Sequence, residues 1–209
     1  MLWAVFLKGL VMGLAVAAPV GPIGVLCIRR SLADGRAAGL ATGMGAATAD
    51  AAYGLLAALG FAATGVLVAY AGPMAIGGGA LLVWLGLSSV RAFLHFDGEV
   101  AAISPARAHG TLFKSWVTTF LLTMANPLTI LTFVGMIAGL GAVAGSAPMA
   151  PFWLVAGVFF GSALWWLFLV QLALSIRSRM TPALTRWFDL ISGAVLVIWG
   201  AQIALGALP

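Results

Sequence analysis

The sequence predicts an all-α integral membrane protein whose six transmembrane helices form a 3+3 inverted repeat, with helices one and four broken at proline motifs. Of its 209 residues, 63% are hydrophobic and 7% are charged, whereas about 25% are charged in an average soluble domain. Long stretches carry no charge, and similar glycine-rich motifs occur in both halves. We therefore expect lipid to surround most of the surface.

The apolar stretches between charged residues accommodate six helical spans. A bilayer core of about 30 Å requires about 20 apolar residues per span. Backbone amides in hydrocarbon need partners within their own segment, and runs without polar alternation favour helices over strands. The spans are placed in 9–28, in 37–90 with a turn at 71–73, in 115–176 with a turn at 145–148, and in 190–209.

The basic residues alternate between loops, as membrane topology predicts. They follow spans one, three and five, at Arg29, Arg30, Arg36, Arg91, Arg107, Lys114, Arg177, Arg179 and Arg186. Loops rich in lysine and arginine stay in the cytoplasm, so we expect both termini outside a bacterial inner membrane. The net charge of +5 follows this topology, and we expect membrane lipids as neighbours and no nucleic acid partner.

An internal repeat divides the chain. The motif GALLVWLG at 79–86 is similar to GAVLVIWG at 193–200. A three-helix unit crosses the membrane an odd number of times, so its second copy is inverted, as in many secondary transporters. The alternative is that glycine-rich apolar helices resemble one another by composition alone. The predicted organisation is one transmembrane domain, 1–209, with a first repeat 1–96, a cytoplasmic link 97–115 and a second repeat 116–209.

Asp50 is the one acidic residue well inside a predicted span. A carboxylate at the bilayer centre costs about 2.5–3.5 kcal/mol on insertion scales, and such groups usually face a cavity or a partner. Gly43, Ala47, Asp50 and Gly54 recur at helical spacing, which places the acid on a face of small residues. Desolvation favours a neutral carboxyl group, so we expect a proton or a substrate amine as its exchangeable partner. The alternative is a buried hydrogen-bonding residue that ties two helices together.

The first proline break creates potential binding groups in span one. Pro19 and Pro22, separated by Val20 and Gly21, lack amide donors, which frees the carbonyl groups of Ala15 and Ala18 from their usual helical bonds. Free carbonyl groups bind cations or ammonium groups, and the half-helix beyond the break directs its positive dipole end at a carboxylate. A plain proline kink is the alternative.

The second break has the same character. Pro127 is expected to free the carbonyl group of Thr123, and Asn126 adds an amide beside it. An acid, free carbonyl groups and helix dipoles together match both ends of a zwitterionic amino acid.

Other residues are interpreted as helix packing or as lining of a cavity. Small residues four apart let helices approach closely. Cys27 is the only cysteine, which excludes a disulfide or a thiolate metal site within one chain. We expect no cofactor, no metal and no enzymatic activity, because phosphate-loop, nucleophile-elbow and zinc-protease motifs are all lacking. The packing and lining candidates are Gly43, Gly45, Ala47, Thr48, Gly161, Ser162 and Trp165.

Three segments carry a resemblance to a known family. They read AAPVGPIGVLCIRRSLADGRAAGLATGMGAATADAAY at 17–53, TMANPLTILTF at 123–133 and GVFFGSALWW at 157–166. The chain resembles the LysE/RhtB amino-acid exporters over nearly its whole length. This resemblance implies a six-helix inner-membrane efflux protein that exchanges an amino acid or a close relative against protons.

The resemblance also implies functional positions. They are the break at 19–22, Gly45, Asp50 and the pair Asn126 and Pro127. This chain departs from the family pattern in two places, since Val20 lengthens the usual Pro-Gly-Pro and Leu128 replaces a lysine common after Asn-Pro. Specificity for lysine is therefore not transferred.

The resulting hypothesis is a secondary active transporter that exports amino acids or related amino compounds by alternating access, coupled to protons. In it, the two halves rock around a site formed by both broken helices and Asp50. Two alternatives stay open. One is an inorganic cation exporter, because an acid with carbonyl groups also suits a metal. The other is a non-transporting scaffold subunit, which predicts no solvent-accessible cavity around Asp50. A homodimer is compatible with the sequence.

Overall fold

The computed structural model describes residues 2–19, 21–58, 69–94, 108–126, 129–133, 149–177 and 181–207. They form a short helical segment at 129–133 and seven longer helices, numbered here in chain order: α1 (Leu2–Ala17), α2 (Pro22–Ala33), α3 (Arg36–Ala58), α4 (Ala71–Leu94), α5 (Ala108–Met124), α6 (Ala150–Arg177) and α7 (Pro182–Gly206). Within these ranges there is no strand, which agrees with the predicted all-α class.

Several of these helices are suited to a bilayer. Three helices are each long and apolar enough to cross a membrane: α4 over Ala71–Arg91, α6 over Ala150–Arg177 and α7 over Trp187–Gly206. The bent pair of α1 and α2 meets the same criterion when it is taken as one span. Large apolar side chains such as Phe168 and Ile198 are exposed on their outer faces, where lipid can cover them. The protein is therefore a multi-pass membrane protein, and the count of six spans stays a prediction.

The break between α1 and α2 lies at the first proline motif. α1 ends at Ala17 and α2 begins at Pro22, and the two helices are bent by 82°. Gly21 caps α2 in an extended conformation, with φ −104° and ψ −159°. Proline is favoured at the first position of a helix because its missing N–H group would have no helical partner there, so Pro22 is suited to start α2, whereas α1 has already ended at Ala17.

Glycines hold α1 against α6. Side-chain atoms added at Gly9 and Gly13 would meet the backbone carbonyl groups of α6, and atoms added at Gly157 and Gly161 would meet those of α1. The two backbones are therefore in direct contact, as small residues four apart predict. This pairing fixes α1 and the start of the break relative to the long helix α6.

The other helices pair in a regular pattern. α4 packs along α7, and α3 packs against both α5 and α6. The contact between α4 and α7 is reciprocal: a Cβ atom at Gly79 would lie 2.5 Å from the carbonyl oxygen of Gly200, and one at Gly200 would lie 2.6 Å from that of Gly79. Gly86 and Gly193 face each other in the same way.

Charged residues gather where α2, α3, α6 and α7 meet. The Nε atom of Arg29 donates to Oδ1 of Asp189 at 2.9 Å, and a Cβ atom at Gly35 would lie 3.1 Å from the guanidinium group of Arg177. Burial raises the pKa of Asp34, although the guanidinium groups of Arg29 and Arg30 act in the opposite direction. The basic residues that follow predicted spans one and five therefore lie at the same end of the molecule.

Arg30 connects three helices near this end. Its Nη1 atom donates to Oγ1 of Thr42 at 3.2 Å, to the carbonyl oxygen of Ser115 at 3.1 Å and to Oγ1 of Thr119 at 3.2 Å. The helix that supplies two of these acceptors, α5, begins at Ala108 and so extends into the predicted link 97–115. The preceding residues, 95–107, lie outside the described ranges.

Candidate functional site

A cavity of about 460 Å³ lies at the break between α1 and α2. It is bounded by both of these helices, by α3, by the end of α5 with the segment 129–133, and by α6 and α7. The sequence-predicted residues that line it are Ala15, Pro19, Gly21, Pro22, Asp50, Thr123 and Asn126. Candidates from three separate parts of the sequence therefore meet around one cavity.

Asp50 is held by a short chain of hydrogen bonds. The residue is only 2% exposed, and its Oδ2 atom accepts a bond of 2.6 Å from the Ser162 hydroxyl group. That hydroxyl oxygen in turn accepts a bond of 3.1 Å from Nε1 of Trp166. Because a serine hydroxyl group has one proton to donate, the tryptophan bond orients that proton towards the acid.

No lysine or arginine in the described residues forms an ion pair with Asp50. A buried carboxylate is strongly unfavourable unless it is paired with a positive charge or becomes protonated. The bond from Ser162 is the one side-chain hydrogen bond to Asp50 among the described residues, and it leaves acceptor capacity on the carboxylate, which has about four lone-pair positions. The arrangement therefore suits a mobile cationic partner or a proton.

The polar side of the cavity is formed by the end of α5 and the residues after it. Thr123 lines the cavity, and its hydroxyl group donates to the carbonyl oxygen of Thr119 at 2.9 Å. Asn126, Thr129 and Thr132 complete this wall. Hydroxyl and amide groups can both donate and accept hydrogen bonds, so this wall can contact either end of a zwitterion.

One detail of the second break differs from the sequence-based expectation. The carbonyl group of Thr123, expected to be free, accepts a bond of 3.2 Å from the amide of Asn126. At the end of α5 the hydrogen bond spans three residues instead of four, as is common in the last turn of a helix. This bond gives the carbonyl oxygen of Thr123 a partner. Pro127 itself lies outside the described residues.

The first turn of α2 also faces the cavity, through Gly21, Pro22, Ile23 and Gly24. The cap residue Gly21 supplies no side-chain hydrogen bond to this turn. The acceptors that the amide groups of Ile23 and Gly24 would need lie four residues earlier, before the helix begins, so these amides have no partner within the helix. Together with the helix dipole, they make this end attractive to an anion such as a carboxylate.

The remaining candidates surround the cavity instead of lining it. Ala18 is absent from the lining, and its amide donates to the carbonyl oxygen of Leu14 at 2.9 Å. A Cβ atom at Gly43 would lie 2.6 Å from that of Trp166, so this glycine makes room for the tryptophan. Trp165 packs against the apolar core.

Four other candidates support the neighbouring helices. A Cβ atom at Gly45 would overlap the carbonyl oxygen of Trp116, one at Gly161 would overlap α1, Ala47 is fully buried, and Oγ1 of Thr48 accepts a bond of 3.4 Å from Nε1 of Trp116. These contacts agree with the interpretation as packing residues.

Sequence reasoning missed most of the apolar wall of the cavity. This wall includes Val16, Ile23, Trp166, Trp199 and Ile203. Trp166 and Trp199 occur in segments that the sequence singled out for other reasons, a family-like motif and an internal repeat. Nothing in an apolar helix marks which of its apolar side chains faces inward, so no local signal identifies them.

Tyr53 supports the end of α5 without lining the cavity. Its hydroxyl group donates to the carbonyl oxygen of Met124, and its ring stacks on Phe133 with 5.5 Å between the ring centroids. Tyr53→Phe removes this donor and is expected to lower the free energy of unfolding by about 0.5–1.5 kcal/mol. A thermal-unfolding assay in detergent measures the change. Tyr70→Phe is the control, because Tyr70 is 63% exposed, and equal melting temperatures for both variants would contradict the bond.

The cavity also bears on the alternatives. A scaffold subunit needs no cavity at its membrane acid, and this acid lines one. No group of three or more histidine, cysteine, aspartate or glutamate residues in the described ranges could hold a metal ion.

Comparison with known proteins identifies the family. The model of the LysE type translocator family matches residues 14–206. A protein of Bacillus subtilis (strain 168), named "Putative amino acid efflux protein YcgF", is 25% identical over 198 residues, which cover 94% of this chain and 93% of that protein. No solved structure matches the chain significantly. Because the family model covers most of the chain, the protein belongs to the LysE type translocators and is a membrane transporter.

Proposed function

We propose that the protein exports amino acids or related small amino compounds across a bacterial inner membrane. Its family and the name of its Bacillus subtilis relative support this function. The observation that carries it is the position of Asp50, a buried acid that shares one cavity with the first turn of α2 and the polar end of α5. The cavity volume of about 460 Å³ is within the range of about 300–1,000 Å³ of small-molecule sites.

In the proposed complex, the two charged ends of the substrate bind different walls. The ammonium group binds the carboxylate of Asp50, where a charge-assisted hydrogen bond offsets desolvation. The substrate carboxylate binds the amide groups in the first turn of α2. Thr123 and Asn126 lie on the same cavity and are proposed to complete the polar contacts.

Proton coupling follows from competition for Asp50. A proton and an ammonium group each neutralise the buried carboxylate, and simultaneous binding of both would leave an excess positive charge in a desolvated site. Protonation from the outside therefore favours release of the substrate, and loss of the proton to the cytoplasm prepares the site for the next substrate. This cycle is a proton antiport.

Alternating access requires two halves that move relative to one another, and the helix pairing supports an inverted repeat. Exchange of the proposed halves, 1–96 and 116–209, converts the pair α1 and α6 into the pair α5 and α3, and both pairs are in contact. The same exchange returns the α4 and α7 pair to itself, in keeping with its reciprocal glycine contacts. Six spans, with both termini outside and the basic end in the cytoplasm, complete the proposal.

Transport by the purified protein tests this function. Reconstituted into liposomes loaded with a mixture of unlabelled amino acids, the wild-type protein is expected to accumulate a labelled amino acid by counterflow. A pH gradient is then expected to drive net movement of the amino acid against its concentration gradient, and a protonophore to abolish that movement. Counterflow that ignores the pH gradient and the protonophore would overturn proton coupling, and the absence of counterflow for every amino acid would overturn the function.

A further inference from the structure

We propose that the substrates are amino acids with uncharged, apolar side chains, the size of leucine, methionine or phenylalanine. This inference rests on the proposed function and concerns the same cavity. It derives from two features of the described lining residues, their single ionisable side chain, Asp50, and their apolar wall.

The lining of the cavity, in the part of the chain that the structure describes, carries a single charged side chain. Asp50 is the only lining residue in the described ranges with an ionisable acidic or basic side chain. A zwitterion satisfies it with its own ammonium group, and its carboxylate binds at the first turn of α2. A lysine or arginine side chain would then bring a second cation with no carboxylate to meet it, and a glutamate side chain would bring an anion with no basic partner. A buried charge without a partner is strongly disfavoured, so the site rejects both classes.

The residues of the apolar wall come from four helices. Val16 lies on α1, Ile23 on α2, Trp166 on α6, and Trp199 and Ile203 on α7. Small-molecule sites are typically lined by apolar and aromatic side chains with a few polar groups that fix orientation. Such a wall stabilises a substrate side chain in proportion to the apolar area that it removes from water, which serine or glycine scarcely offers.

Trp166 is held rigidly enough to shape this wall. It is 6% exposed, its indole N–H group is bound to Ser162 at 3.1 Å, and its Cβ atom packs on Gly43. Trp166 therefore belongs both to the hydrogen-bond network that orients Asp50 and to the wall proposed to receive the substrate side chain. This one residue links recognition of the ammonium group to recognition of the apolar side chain.

Competition in liposomes tests the substrate class with the unmodified protein. Labelled leucine is taken up by counterflow, and unlabelled leucine, methionine, phenylalanine, serine, lysine and glutamate are added in turn as competitors. We expect the apolar amino acids to compete about tenfold or more better than serine, lysine or glutamate, since hydrophobic pockets discriminate by about 10–200-fold per methylene group. If lysine, serine or glutamate competes as well as leucine, the inference is overturned but amino-acid export stands. If no labelled amino acid shows counterflow, the proposed function itself is overturned.

Two variants test the two features separately. Asn126→Asp adds a second carboxylate to the polar wall and is expected to shift the ratio of lysine to leucine uptake at least about tenfold towards lysine. Trp199→Ala removes part of the apolar wall and is expected to lower the ratio of leucine uptake to serine uptake. The matched control is Trp84→Ala, because Trp84 is 53% exposed on α4 and does not line the cavity. Each variant is first shown to be monodisperse in detergent. Unaltered uptake ratios in either folded variant would contradict the feature that it tests.

Discussion

Proton-coupled export by the Asp50→Asn variant is expected to be lost, although the variant folds. Asparagine has nearly the same shape as aspartate, and its side-chain oxygen can still accept the bond from Ser162. It carries no charge, however, and takes up no proton near neutral pH. Removing one partner of a buried charge pair costs about 2–5 kcal/mol, which corresponds to about 30-fold or more in affinity. The initial rate of amino-acid movement driven by a pH gradient in liposomes measures the loss.

The stability of the same variant separates function from folding. In the empty cavity the carboxylate of Asp50 has no cationic partner among the described residues, and an uncharged amide avoids that desolvation cost. The melting temperature of Asp50→Asn without substrate is therefore expected to equal or exceed that of the wild type. Wild-type rates of proton-driven transport in this variant would contradict the proposed role of the acid.

Asp189→Asn is the matched control for the loss of an acid. Asp189 pairs with Arg29 away from the cavity, and both side chains are 22% exposed. Partly exposed ion pairs contribute about 0–1 kcal/mol to stability, so transport by this variant is expected to stay close to the wild-type rate. A loss as large as that of Asp50→Asn would mean that removal of any acid impairs the protein.

The polar half of the cavity was accessible to sequence reasoning because polar groups are rare in these helices. Asp50 is the only charged residue in a long apolar stretch, and Pro19 and Pro22 interrupt a helix that would otherwise continue. Each of these features is costly in hydrocarbon, so each one predicts a special local role. Their meeting in one cavity could be expected only from the inverted-repeat hypothesis and the family resemblance.

The apolar half was not accessible, because residues such as Trp165 and Trp166 look alike in sequence. Neighbouring residues of a helix point about 100° apart, and α6 is apolar on all sides, so no stripe of polar residues marks its outer face. The structure places the buried Trp166 on the cavity, whereas Trp165 is partly buried and packs against the apolar core. The bond between Ser162 and Asp50 joins residues 112 positions apart. It forms because α3 packs against α6, so it could not be predicted from either segment alone.

The contact between α3 and α6 belongs to a bundle held together by glycines. Gly161→Ala is expected to lower the stability of this bundle. The added methyl group would overlap the backbone carbonyl oxygen of Leu10 on α1, which a rotamer change cannot relieve. Overpacking of this kind costs about 1–3 kcal/mol. The temperature at which half of the protein stays monodisperse in size-exclusion chromatography measures the loss, and export should fall as well, because α1 carries the break beside the cavity.

Gly77→Ala is the control that separates a steric effect from a glycine effect. Among the described residues, no atom outside its own helix lies within 4 Å of the position that its methyl group would occupy, and alanine is favoured over glycine within a helix by about 0.5–1 kcal/mol. This variant should therefore be as stable as the wild type or more so. The opposite signs follow from one geometric fact, the direct backbone contact between α1 and α6. If Gly161→Ala retained the stability of Gly77→Ala, the two helices would have to lie farther apart than this, and the cavity wall built on α1 would have to be placed differently.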